Sequence, residues 1–227
     1  MKRFWTDSSV VEGENGFGVM LDGRPLKTPA RVALAVPTRA LADAIAAEWA
    51  AAGETIDPRA MPMTGLANAA VDRADEQLVA GITRYAESDH LCYRAPDPAP
   101  LVDRQAEAWD PLLGWARRRF DVDFATCNGI IHVAQPSETV RKLSHAVTSL
   151  ERFHLAALSP LVTIGGSLVA GLAVLEKAIP VEEAWTAVSL DERWQLEQWG
   201  SDAEAEAMLA AKRDDFFAAA AFLDLLS

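Results

Sequence analysis

The chain is poor in cysteine, in tyrosine and in positive charge, and it has no apolar run long enough to cross a bilayer. Its two cysteines, Cys92 and Cys127, lie far apart in sequence and form no C-x-x-C pair. That argues against a disulfide framework and leaves two thiols, expected to be buried in a reducing compartment. Basic residues number 21 against 33 acidic ones, a formal net charge of −12. Nucleic-acid surfaces gain affinity by neutralising phosphates, and anionic membranes attract polybasic segments, so neither partner is expected. A basic protein partner suits this field better. The most apolar stretch, Pro160–Leu175, holds no charge, but its sixteen residues fall short of the roughly 20 that span a membrane. With Gly165, Gly166 and Gly171 in it, it reads as one buried central helix making close contacts. The N-terminus, MKRFWTDSS, has no apolar h-region, so no secretory signal is visible.

Motifs of catalysis are also lacking. There is no HExxH, no Walker loop and no GxSxG, each of which places a ligand, a phosphate cradle or a nucleophile at fixed spacing. The glycines of Gly16–Leu21, GFGVML, run into a hairpin rather than a helix and lack the third glycine of a nucleotide loop. Two E-x-x-H spacings occur, Glu87–His90 and Glu151–His154. Carboxylate-bridged di-iron bundles use two such pairs with two further glutamates on facing helices, so a di-metal enzyme on the helical part is the alternative reading. Against it, His90 beside Asp89 suits a cation at a helix exit, and His154 falls on an otherwise apolar stripe. No metal site, catalytic residue or cofactor is assigned.

Half the residues are apolar and a quarter charged, the composition of a globular protein with a sizeable core. The pattern predicts an α+β chain: a small antiparallel β-rich N-terminal domain with one helix over residues 1–58, then a mostly α-helical domain over 59–227. Phe17, Val19 and Leu21 alternate, and Asp22-Gly23 supplies a two-residue hairpin turn of type I′. Arg24–Pro29 is the expected return strand, and Val32, Leu34 and Val36 a further one. Thr38 caps a helix bearing Leu41, Ile45 and Trp49 on one face. Gly53 ends it, and Ile56–Met63, with Pro58 and Pro62, is expected to run extended across a junction between the two domains. Thr64 is the expected cap of the next helix, and Trp49 should be largely buried.

Beyond the junction, helices are expected at Glu76–Glu87 and Leu101–Phe120, with a small hairpin around Asn128-Gly129. A helical stripe follows through Val140, Leu143, Val147, Leu150, His154 and Ala157. Pro180 opens another helix, and a last one covers Asp202–Leu226. Ser189-Leu190-Asp191-Glu192 and Ser201-Asp202-Ala203-Glu204 read as capping boxes around a short helix. There are seven tryptophans beside two tyrosines, and indole suits both cores and interfaces. Trp109, Trp115 and Trp185 lie on apolar faces and read as core. Trp194 and Trp199, among Asp191, Glu192, Glu197 and Asp202, form a candidate contact patch: aromatic anchors within uncompensated carboxylates.

Several segments together resemble one family. They are Leu21–Pro29 (LDGRPLKTP), Glu48-Trp49, Ile56-Asp57-Pro58, Met61-Pro62-Met63-Thr64 and Leu66-Ala67-Asn68. Asp89, Leu91-Cys92-Tyr93-Arg94, Trp109-Asp110-Pro111-Leu112, and Gln195 with Trp199-Gly200 continue the series. In this order they resemble the assembly chaperones of the ATP synthase catalytic head that attend its alpha subunit, found in mitochondria and alphaproteobacteria. The resemblance implies a non-enzymatic monomer that binds the newly made alpha subunit and shields its subunit-facing surface, in the cytoplasm or, in a eukaryote, the mitochondrial matrix. It also implies an important acidic position shortly before the Gln and Trp-Gly, where Asp191 and Glu192 stand here. Asp191, Glu192, Gln195, Trp199 and Gly200 are therefore the expected partner-binding residues. After Gly200 the chain departs from the mitochondrial pattern.

Overall fold

The computed structural model describes residues 2–129, 131–200 and 202–227. The fold is α+β, with strands gathered near the N-terminus and helices over most of the rest. Strands β1 (Ser8–Gly13) and β2 (Gly16–Leu21) pair antiparallel. Strand β2 also pairs with β3 (Arg24–Pro25) and with β4 (Ala35–Val36). The alternation seen in sequence is the buried face, for Val19 and Leu21 point inward with Leu34 and Val36. Asp22 and Gly23 have φ of 49° and 73°, and Leu21 sits opposite Arg24, so the turn is the expected two-residue type I′. The Asp22 carboxylate accepts the N–H groups of Asp7 and Thr6, which hold its carboxyl below the usual range. The return strand is shorter than expected: β3 ends at Pro25, although the Leu26 N–H still donates to the Val19 carbonyl and Lys27 bridges Ala33.

Helix α1 (Arg39–Ala51) starts where the Thr38 hydroxyl accepts the Leu41 N–H at 3.2 Å. Its inward residues Leu41, Ile45 and Trp49 are those of the predicted face. The proline segment is not extended: Pro58–Ala60 is a 3-10 turn and α2 (Pro62–Asp72) begins at once. Thr64 does not cap it. The cap comes from α1, where Glu48 accepts the N–H groups of Met63 (2.7 Å) and Thr64 (2.8 Å) and the Thr64 hydroxyl (2.6 Å). The same Thr64 oxygen accepts the indole N–H of Trp49 at 3.1 Å, while the Trp49 carbonyl accepts that of Trp5. A carboxylate at a helix N-terminus meets both unpaired donors and the dipole.

The remaining elements are α3 (Glu76–Thr83), β5 (Tyr93–Arg94), α4 (Ala99–Phe120), β6 (Cys127–Asn128), α5 (Ser137–Thr148), α6 (Arg152–Gly165), α7 (Leu168–Leu175), α8 (Val181–Val188), α9 (Leu190–Trp199) and α10 (Ala203–Asp224). Among the described residues no hairpin is seen at Asn128-Gly129. Strand β6 pairs parallel with β5, and the Gly129 N–H bonds the Arg94 carbonyl. The single central helix expected over Pro160–Leu175 is two helices. The chain leaves α6 through Gly166 at φ 65°, and Ser167 caps α7 by accepting the Ala170 N–H. The continuous stripe expected through Leu150 likewise breaks between α5 and α6. Of the two thiols, Cys92 is buried and Cys127 only half-buried; burial pushes the Cys92 thiol up to about 12. Trp109 and Trp185 are core, while Trp115 is half-buried against Phe120.

The chain packs as two compact units. One holds Met1–Asp75, Glu151–Ala157 and Ala218–Ser227; the other holds Glu76–Leu150 and Leu158–Phe217. Residues 59–75 group with the N-terminal strands, and the Glu48–Trp49–Thr64 cluster lies inside the first unit. No helix among the described residues is long and apolar enough to cross a membrane.

Candidate partner-binding site

All five residues expected to bind a partner stand on or at the end of α9, in the second unit. Leu190 is its only buried residue, and the helix has no apolar face to hide. What fixes such a helix has to be polar. Gln105 of α4, 2% exposed, accepts the Ala95 N–H at 2.8 Å and donates to the Asp191 carboxylate at 2.8 Å. The other Asp191 oxygen lies 3.7 Å from Nε2 of His90, whose ring packs edge-on against Trp109. Trp109 in turn donates to the Ala187 carbonyl at 2.8 Å. Asp191 is thereby tied to the body of the unit at the first turn of α9.

The other carboxylates are also engaged, contrary to the expectation of an uncompensated rim. Glu192 faces Lys212 of α10 at 3.6 Å, and Glu197 pairs with Arg104 at 2.6 Å. The Arg104 guanidinium lies 4.8 Å from the Trp194 ring, which is half-buried. Ser189 does not form a capping box, since its hydroxyl donates to the Trp185 carbonyl at 2.6 Å. The second expected box begins at Ser201, outside the described residues. Asp202 itself accepts the Ala205 N–H at 2.7 Å at the start of α10.

The far end of α9 is different. Trp199 is 79% exposed and Gln195 is exposed as well. Gly200 follows at φ 83°, ψ 157°, a conformation open essentially to glycine alone, so this residue sets how the chain leaves the exposed indole. Between α9 and α10 runs a groove of about 200 Å³ lined by Glu192, Gln195, Leu196, Ala205, Met208, Leu209 and Lys212. Trp199 is three residues beyond Leu196 and four beyond Gln195, so it shares the groove side of α9. Met208 is 59% exposed. Sequence reasoning missed Leu196, Met208 and Leu209. Their signal was a lone Met-Leu pair in the alanine- and glutamate-rich first half of α10.

The two E-x-x-H pairs do not gather ligands. Among the described residues no group of three or more His, Cys, Asp or Glu is placed to hold a metal ion. Near His90 the buried acid is Asp89, which accepts the N–H groups of Leu91 (3.0 Å) and Val169 (2.9 Å). Burial raises its carboxyl above the usual range against those hydrogen bonds. It caps the 3-10 turn His90–Cys92 and the start of α7.

Comparison with known proteins accords with this architecture. Residues 2–117 match the model of a family described as ATP12 chaperone protein. The mitochondrial protein atp12 of Schizosaccharomyces pombe is 26% identical over 215 residues, 88% of this chain and 74% of its own length. The crystal structure of Atp12 from Paracoccus denitrificans aligns over the whole chain and 98% of its own, with a TM-score of 0.93 and 41% identity. A candidate chaperone from Agrobacterium tumefaciens aligns at 0.93 and 39%, over the whole chain and 86% of its own. The family description and the Agrobacterium relative both name a chaperone rather than an enzyme. The chain belongs to the ATP12 chaperone family.

Proposed function

We propose that this member of a chaperone family of ATP synthase assembly binds the newly made alpha subunit of the catalytic head. It shields the subunit-facing surface of that client until assembly, working as a monomer in the cytoplasm or, in a eukaryote, the mitochondrial matrix. A client surface destined for a subunit interface is apolar while unpaired, and a holder that binds it lowers the concentration free to self-associate. The observation that carries the reading is Trp199, an indole 79% exposed at the end of a helix. Tryptophan gains most of any residue from burial in an interface, and exposing it otherwise costs solubility.

Within this reading the five α9 residues divide their work. Trp199 and Gln195 make contact, Gly200 directs the exit of the chain, and Asp191 and Glu192 orient α9 through Gln105 and Lys212. The test is capture of alpha subunit diluted from denaturant. The intact chain should keep it soluble at equimolar amounts and be recovered with it in a one-to-one complex. Aggregation at the rate seen without the chain, or recovery of another ATP synthase subunit instead, overturns the assignment.

A further inference from the structure

The groove between α9 and α10 holds about 200 Å³, below the range of pockets that enclose small molecules. It suits one or two side chains of a polypeptide. Its floor is apolar and adaptable, with Leu196, Leu209, Ala205 and the flexible thioether of Met208. Its surroundings carry an excess of negative charge: between residues 190 and 213 stand Asp191, Glu192, Glu197, Asp202, Glu204 and Glu206 against Arg193, Lys212 and Arg213. The first three are engaged by Gln105, Lys212 and Arg104. Glu204 and Glu206 are exposed and have no ion pair among the described residues. On α10 the groove-lining positions 205, 208, 209 and 212 form one stripe, and helical geometry puts positions 204 and 206 along its two borders.

We propose that this groove takes a short apolar segment of the client that carries lysine or arginine beside its apolar anchor. The proposal rests on the chaperone reading above and names the chemistry that site selects. Leucine- or methionine-sized anchors fill the space over Met208 and Leu209, and the cation meets Glu204 or Glu206. The acidic borders speed encounter and fix orientation, while the apolar contacts and Trp199 slow release. A second copy of this chain, itself at −12, would bring like charge against like.

Two labelled amphipathic peptides with the same leucine face, one with lysine and one with glutamate on the polar face, test the groove by anisotropy with the full chain. The lysine peptide should bind about tenfold tighter, and more weakly at high salt. Met208→Asp should weaken it by about fivefold or more with an unchanged melt, because the added charge does not replace the lost apolar contact. Glu204→Gln with Glu206→Gln should remove most of the salt dependence. Equal binding of both peptides overturns the proposal, as does a Met208→Asp chain that binds the lysine peptide as well as wild type, the mark of general attraction to an acidic protein. Concentration-dependent dimers lost in Met208→Asp would assign the groove to self-association and overturn it too. Alpha-subunit capture by the same proteins separates the two readings. Failure of the wild type sinks the chaperone assignment, whereas full capture by Met208→Asp sinks only the groove.

Discussion

Trp49 and Trp199 both lie near the end of a helix, in segments that resemble the same family, yet the first is 8% exposed and the second 79%. The Trp49 indole donates to Thr64, packs against Trp5 and stands next to the glutamate that caps α2. Trp199 is the last residue of α9, a helix tied down at its first turn by Asp191 and further along by the Glu197–Arg104 pair. The contrast extends to neighbouring motif residues. Asp89 caps the 3-10 turn His90–Cys92 and the start of α7, Arg94 bonds the Leu91 carbonyl and Asp110, and Trp109 donates to Ala187. These side chains build the fold. Among the described residues the Trp199 indole makes no hydrogen bond or ring contact, so an exposed tryptophan at the end of α9 calls for an explanation outside the chain. The family model, over residues 2–117, covers the first set and stops short of the second.

Substitutions sharpen this difference. The largest loss should come from Trp49→Arg, which removes a buried indole and places a cation beside Trp5. We expect at least about 3 kcal/mol, and so a fall in Tm on the order of 10 °C. A native melt would show that the first cluster is as dispensable as the second. Glu48→Ala comes next, because it strips two backbone donors and the Thr64 hydroxyl of their acceptor. About 1–3 kcal/mol is expected, and urea denaturation should show a lower midpoint with the same slope. Gly23→Val forces a β-branched residue to φ 73° and should cost about 1–2 kcal/mol. Since a Cβ there meets nothing within 4 Å, Gly23→Asn should be far milder. Equal losses for Val and Asn would mean that the turn's backbone is not what selects glycine.

Local signals carried the first region well. Alternation along β2, the Asp-Gly turn and the four-residue spacing of Leu41, Ile45 and Trp49 are periodic features that burial reads directly. Tertiary satisfaction was harder to read. Thr64 looked like a cap because caps are threonines, but a glutamate a helix away supplied the oxygen. The uncharged run from Pro160 to Leu175 looked continuous, and only packing shows that Gly166 turns the chain inside it. At the candidate site, the tryptophan and its acidic neighbours were visible in sequence. Their partners Gln105, Arg104 and Lys212 were not, because they lie on other helices. The groove was equally hidden, because Met208 and Leu209 gain meaning only when α10 lies beside Leu196.

Trp199→Ala should move stability least and function most. Because its indole is mostly in water, truncation should shift the melt by no more than about 1 °C. The direct measurement is binding of this variant to the alpha subunit, with association and dissociation followed separately. The account predicts an unchanged association rate and dissociation faster by about tenfold or more, as for loss of an interface anchor. Wild-type dissociation from a normally folded Trp199→Ala chain would contradict it, and α9 would then be a solvated helix end.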